Sequence, residues 1–152
     1  MRLADILRVD CIVADVAGRS VASVLSELSR PLAAAHRVDA QRVTEALLAR
    51  ERLGSTGIGE GVAVPHGKVA GLPGPAAAFG RCRQGIDFRS IDGKPTFLVV
   101  ALLAPERGGA EHLQALARVS RLLKRPGFRQ ALLDAPDAPS IHRLIVEEEQ
   151  RL

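Results

Sequence analysis

His66 is the residue best placed for chemistry. It stands in Val62-Ala-Val-Pro-His-Gly-Lys68, where the apolar run reads as a short strand and His-Gly-Lys as a turn leaving it. An imidazole on a strand-end loop is open to a partner, and near pH 7 it is mostly neutral and nucleophilic. Just ahead lies Gly54-Ser-Thr-Gly-Ile-Gly-Glu-Gly61, four glycines in eight residues. Such a run implies a loop with unusual dihedrals or a close backbone approach. Successive N–H groups in a loop of this kind form an anion-binding concavity. Ser55 and Thr56, beside Gly57, add hydroxyl donors, and Arg50 carries the planar fork that matches a phosphate. These are parts for a nucleophile beside an anion site. The competing reading is a histidine that is merely exposed on a loop.

The other candidates carry less. His112 falls in the first turn of a helical stretch after Gly108-Gly109. The positive end of the helix dipole there favours the neutral imidazole. Read alone, it is an exposed helical histidine, and His36 and His142 read as surface or structural. The four histidines have no ligand-like spacing, and Cys11 and Cys82 form no CxxC pair, so each reads as a reduced thiol. Neither a metal nor an organic cofactor is implied. Gly57-x-Gly59-x-Gly61 is not GxGxxG, and no GxxxxGK[ST], GxSxG or HExxH occurs.

The elements that must position these residues follow from periodicity. Ser20 to Leu32 reads as an amphipathic helix with Val21, Val24, Leu25 and Leu28 on one face, kinked or ended by Pro31. Asp39 is a candidate N-cap for a second helix to about Arg52, stopped by Gly54. Ala76 to Arg83 reads as a strand, and Asp92-Gly93 as a hairpin-type turn. Thr96 to Leu103 is continuously apolar and fits a strand buried on both faces. Ala110 to Lys124 reads as a helix with Leu113, Leu116, Val119, Leu122 and Leu123 inward. Pro126 opens a short helix, and Asp137 caps a last one running to about Glu149. Helices, then strands, then helices predict an α/β fold. The expectation is a single domain over 1–152, a mixed parallel/antiparallel sheet with helices packed on both faces.

Composition narrows the function classes. The chain has 152 residues, 47% hydrophobic and 25% charged, enough for one core and unlike a disordered tail. The longest apolar run, Phe97 to Ala104, is far shorter than a membrane helix needs. Arg2, Asp5, Arg8 and Asp10 leave no apolar core for a signal peptide, so a cytoplasmic location is expected. Net charge is +4, and Arg118, Arg121, Lys124, Arg125 and Arg129 recur at near-helical spacing. With four Phe and no Tyr or Trp there is little to stack on bases. A solvated face or a surface for an acidic protein is therefore favoured over nucleic acid.

Arg50-Glu-Arg-Leu-Gly-Ser-Thr-Gly-Ile-Gly-Glu-Gly-Val-Ala-Val-Pro-His-Gly-Lys68 resembles the phosphorylation-site motif of the type 2 enzyme IIA domains. These belong to the bacterial phosphoenolpyruvate-dependent phosphotransferase system, in its mannitol/fructose class. Ala101-Leu-Leu-Ala-Pro105, followed by Glu111-His112-Leu113, resembles the second signature of that family. The likeness spans nearly the whole chain and is strongest to the nitrogen-regulatory branch.

The resemblance implies that His66 accepts a phosphoryl group from a phosphohistidine on an HPr-like carrier. His112 and Arg50 would assist, with Ser55, Thr56 and Gly57 lining the phosphate pocket. Ile58, Val62 and Val64 would form an apolar docking rim. It also implies regulatory partners, such as potassium-transport or sensor-kinase proteins. The rivals are a sugar-specific IIA component that passes phosphate to a IIB domain, a non-catalytic binding module using the basic stripe, and a histidine-dependent hydrolase.

Overall fold

The structure, a computed structural model, describes all 152 residues. Its elements in chain order are α1 (Leu3–Ile6), β1 (Leu7–Val13), α2 (Val21–His36), α3 (Ala40–Leu53), β2 (Gly57–Gly59), β3 (Val62–Ala63) and β4 (His66–Lys68). Then follow β5 (Ala76–Ile86), β6 (Thr96–Ala104), α4 (Gly109–Leu122), α5 (Pro126–Asp134) and α6 (Ala138–Glu149).

One mixed sheet holds six strands in the order β1-β5-β6-β3-β2, with β4 also paired to β6. β5 and β6 form its antiparallel centre, in register from Ala76 opposite Leu103 to Arg81 opposite Leu98. β1 runs parallel to β5 on one side, and β3 and β4 run parallel to β6 on the other. β5 is buried continuously from Ala76 to Cys82 and β6 at every residue but Phe97, so both sheet faces are covered there. α2 and α3 pack on each other and against β1, β4 and β5; α1, α4, α5 and α6 form a second group reaching β1, β5 and β6.

The helices begin where capping chemistry places them. Ser20 accepts from the Ser23 N–H at 3.1 Å, Asp39 from Arg42 at 3.1 Å, and Asp137 from Ser140 at 2.9 Å. Pro31 does not end α2, which continues to His36 and closes on Arg37 in the left-handed region (φ 56°). The lost backbone bond is outweighed by burying Leu28, Leu32 and Ala33 on either side of the proline.

Two expected irregular segments prove to be strands. Gly57–Gly59 and Val62–Ala63 make an antiparallel hairpin through Glu60 (φ 57°) and Gly61 (φ 78°), the positive dihedrals a two-residue hairpin turn demands. His66-Gly-Lys68, read as a turn, is β4, in register with Leu102–Ala104. Gly67 lets β4 approach α3 closely, since a Cβ would lie 3.2 Å from the Ala46 backbone. Leu113, expected inward, is 67% exposed.

Candidate functional site

His66 and His112 converge because β4 and β6 are parallel. Their carboxyl ends coincide, and α4 begins just after β6, so its first turn returns to the end of β4. The two imidazole centroids lie 5.4 Å apart with planes tilted by 55°. His66 is half-buried, and its Nδ1 is 3.0 Å from the Val64 carbonyl oxygen. A carbonyl only accepts, so Nδ1 carries the proton and Nε2 of the neutral ring presents a lone pair.

His112 is buried at 7% exposure. Burial lowers its pKa below the ordinary 6.5, and the neighbouring charges of His66 and Lys68 push the same way. Lys68 is exposed and, two residues beyond His66 on β4, shares its face of the strand. Sequence reasoning did not single out Lys68. The i, i+2 spacing was the available signal, hidden by reading the segment as a turn.

The side chains of the glycine-rich segment are hydrogen-bonded to their own surroundings. The Ser55 hydroxyl donates to the Phe88 carbonyl and accepts from the Gly57 N–H at 3.0 Å. Thr56 is buried, and its N–H and hydroxyl both go to Glu51, at 2.9 and 2.5 Å. The Ser55 and Thr56 hydroxyls and the Thr56 and Gly57 N–H groups thus each have a partner within the protein. Glu51 was missed. Its signal was a carboxylate in the last turn of α3, where the helix dipole disfavours it.

Arg50 donates Nη1 to the Gly54 carbonyl at 2.8 Å, closing the end of its own helix, and keeps its other N–H groups. Of the expected docking rim only Ile58 is exposed; Val62 and Val64 are 1% and 3% exposed and belong to the core. Val62 is locked in β3 against Leu98, which leaves no outward face for it. Leu113, beside His112, Ile58, and Leu53 at the end of α3 are exposed apolar residues close in sequence to the site elements. The basic stripe is largely neutralised: Arg118 pairs with Glu149 at 3.0 Å, Arg125 with Glu148 at 3.6 Å and Arg129 with Glu60 at 3.7 Å. No group of three or more His, Cys, Asp or Glu residues could hold a metal ion. No helix is long and apolar enough to cross a membrane.

The family model described as "Phosphoenolpyruvate-dependent sugar phosphotransferase system, EIIA 2" matches residues 5–148. A nitrogen regulatory protein of Bradyrhizobium diazoefficiens is 39% identical over 145 residues, 95% of each chain. The fructose-specific EIIABC component of Bacillus subtilis is 38% identical over 151 residues, 99% of this chain. The chain spans only 24% of that longer protein. The crystal structure of the nitrogen regulatory protein IIA-Ntr from Neisseria meningitidis superposes with a TM-score of 0.88 at 34% identity, covering 94% of this chain and 98% of that one.

Proposed function

The chain belongs to the EIIA type 2 family of the phosphoenolpyruvate-dependent sugar phosphotransferase system, and on that premise we propose that it is a regulatory phosphocarrier whose acceptor is Nε2 of His66. The observation that carries the reading is the Nδ1 contact with the Val64 carbonyl, which leaves the Nε2 lone pair free beside a buried His112.

In this mechanism the Nε2 lone pair attacks the phosphorus of a phosphohistidine on an HPr-like carrier. A P–N bond forms as the donor's P–N bond breaks, and the electron pair returns to the donor imidazole. Positive charge develops on the His66 ring, and the Val64 carbonyl dipole opposes it at Nδ1–H. The phosphoryl passes through a loose, metaphosphate-like arrangement, so the site mainly positions it and offsets its charge. His112, kept neutral by burial, donates one N–H to a phosphoryl oxygen; Lys68 and the free N–H groups of Arg50 supply positive charge. Ile58 and Leu113 contribute apolar contact to the docked carrier and help exclude water.

Phosphorylation adds about −1.5 to −2 of charge beside an otherwise basic site, enough to change which regulatory protein docks there. Potassium-transport and sensor-kinase proteins are the candidate targets, in a cytoplasmic setting. The identity to a nitrogen regulatory protein along 95% of both chains supports this branch. The similar identity to a fructose-specific component supports a second reading, onward transfer to a IIB domain during sugar uptake.

Intact-protein mass after incubation with phosphoenolpyruvate, enzyme I and an HPr-like carrier tests the proposal. Wild type should gain one acid-labile phosphoryl group, and His66→Ala none. His112→Ala should slow the gain by on the order of 10²-fold, the scale of removing one preorganised donor. No gain by wild type with several competent donors would sink the mechanism. Rapid onward transfer to an added IIB domain would favour the sugar-uptake reading.

A further inference from the structure

Glu51 sits in the last turn of α3, where a carboxylate opposes the helix dipole, and its two oxygens are spent on a single residue. Oε2 accepts the Thr56 N–H at 2.9 Å and Oε1 the Thr56 hydroxyl at 2.5 Å. Thr56, 5% exposed, in turn accepts the Val64 N–H on its carbonyl at 2.9 Å. Val64 is 3% exposed and precedes Pro65, which confines it to extended backbone. The Pro65 carbonyl accepts the Leu102 N–H of β6 at 2.9 Å. The Val64–Pro65 peptide is therefore held from both sides, by β6 after it and by the Glu51–Thr56 clasp before it. Its carbonyl is the group that meets His66 Nδ1 at 3.0 Å.

We propose that Glu51 is a positioning residue for His66, acting through Thr56 and the Val64 carbonyl to hold the imidazole in its Nδ1–H tautomer. The inference rests on the phosphocarrier reading for its consequence, since only that tautomer presents a lone pair at Nε2. With the carbonyl displaced, His66 falls toward the Nε2–H tautomer, whose Nε2 has no pair to attack phosphorus. No proton moves along the chain of contacts: Val64 N–H and Val64 C=O belong to different peptide groups, and the relay works by position alone. Glu51 is a half-buried side chain at the end of a helix, so it also ties the position of α3 to the reactivity of His66.

The test is the ¹⁵N spectrum of the His66 imidazole in unphosphorylated wild type, Glu51→Gln, Thr56→Val and Thr56→Ser. Wild type should show mainly the Nδ1–H tautomer. Glu51→Gln and Thr56→Val should shift the tautomer ratio toward Nε2–H by about 5-fold, the scale of one lost hydrogen bond. Phosphoryl acceptance should slow by roughly 10-fold in the same variants. Thr56→Ser keeps the hydroxyl and should restore both. A melting temperature that drops while the folded variants keep the wild-type tautomer ratio would mean a structural role only, and would overturn the proposal. If Thr56→Val does not fold, Glu51→Gln against Thr56→Ser decides. The spectrum needs no phosphoryl donor. A wild type that cannot be phosphorylated would therefore refute the carrier reading and leave the tautomer result standing.

Discussion

At His112, burial and the charges of His66 and Lys68 all disfavour the imidazolium, so the folded protein binds that proton less readily than the unfolded chain does. The folded pKa is depressed, so stability rises with pH from the folded value up to the unfolded value near 6.5, then levels off. His36 is lowered as well, chiefly by burial, and adds a slope of the same sign. Urea titrations between about pH 5 and 7 should therefore show a shallower rise in His112→Gln than in wild type, with the His36 share retained. Equal slopes would mean that His112 is as easily protonated folded as unfolded. At this scale the sequence was partly legible: His66 and Arg50 were singled out by their setting, whereas His112, read alone as an exposed helical residue, entered only through the family resemblance; the structure buries it and brings the two imidazoles together. The duties of Ser55, Thr56 and Gly57 were not legible. A sequence displays donors, but the acceptors that claim them, Glu51 and the Phe88 carbonyl, are chosen by packing.

Among the elements, β4 and α3 meet at a contact that is tight for anything larger than glycine. A Cβ on Gly67 would press on the Ala46 carbonyl carbon, oxygen and Cβ at 3.2 Å, and the helix backbone cannot rotate away as a flexible side chain could. Gly67→Ala should cost on the order of 1–3 kcal/mol, the usual scale of overpacking, seen as a lower urea midpoint at constant slope. An unchanged midpoint would show that α3 yields freely. The buried centre of the sheet was readable, because Phe97 to Ala104 is apolar throughout and the strand spans Thr96–Ala104. The helix starts capped by Asp39 and Asp137 were readable too, because a cap bonds to the residues just after it. β1 was not read at all: Leu7–Val13 interleaves Arg8 and Asp10 with its apolar residues and, at the edge of the sheet, is exposed at Arg8, Val9 and Asp10. β2 (Gly-Ile-Gly) and β4 (His-Gly-Lys) escaped because such short glycine-containing segments carry little strand propensity. They are strands only through backbone pairing with β3 and β6.

Across the whole molecule, two buried charges join distant parts of the chain. The Arg81 guanidinium, fully buried on β5, donates to the Ala14 carbonyl after β1 at 2.9 Å and to Leu132, Leu133 and Ala135 at the end of α5, at 2.8, 3.2 and 2.6 Å. It has no carboxylate partner; the negative end of the α5 dipole faces it instead. Arg81→Met would leave those carbonyls without donors and should cost at least about 2 kcal/mol in denaturant unfolding. The fraction that remains folded should still accept phosphate on His66. Glu149 does the matching work at the other end, accepting from the Leu3 and Ala4 N–H groups at 2.7 and 2.8 Å while pairing with Arg118. The sequence by itself determined what depends on neighbours along the chain: the Asp39 and Asp137 helix caps, the buried central strand, and a glycine-rich segment leading to a histidine just after a short strand. Tertiary structure alone decided which groups satisfy one another. The Ser55–Phe88 bond spans 33 residues and the Glu149–Leu3 bond 146. Such pairings are set by which buried polar groups the packed core brings within reach, and local propensity has no access to that.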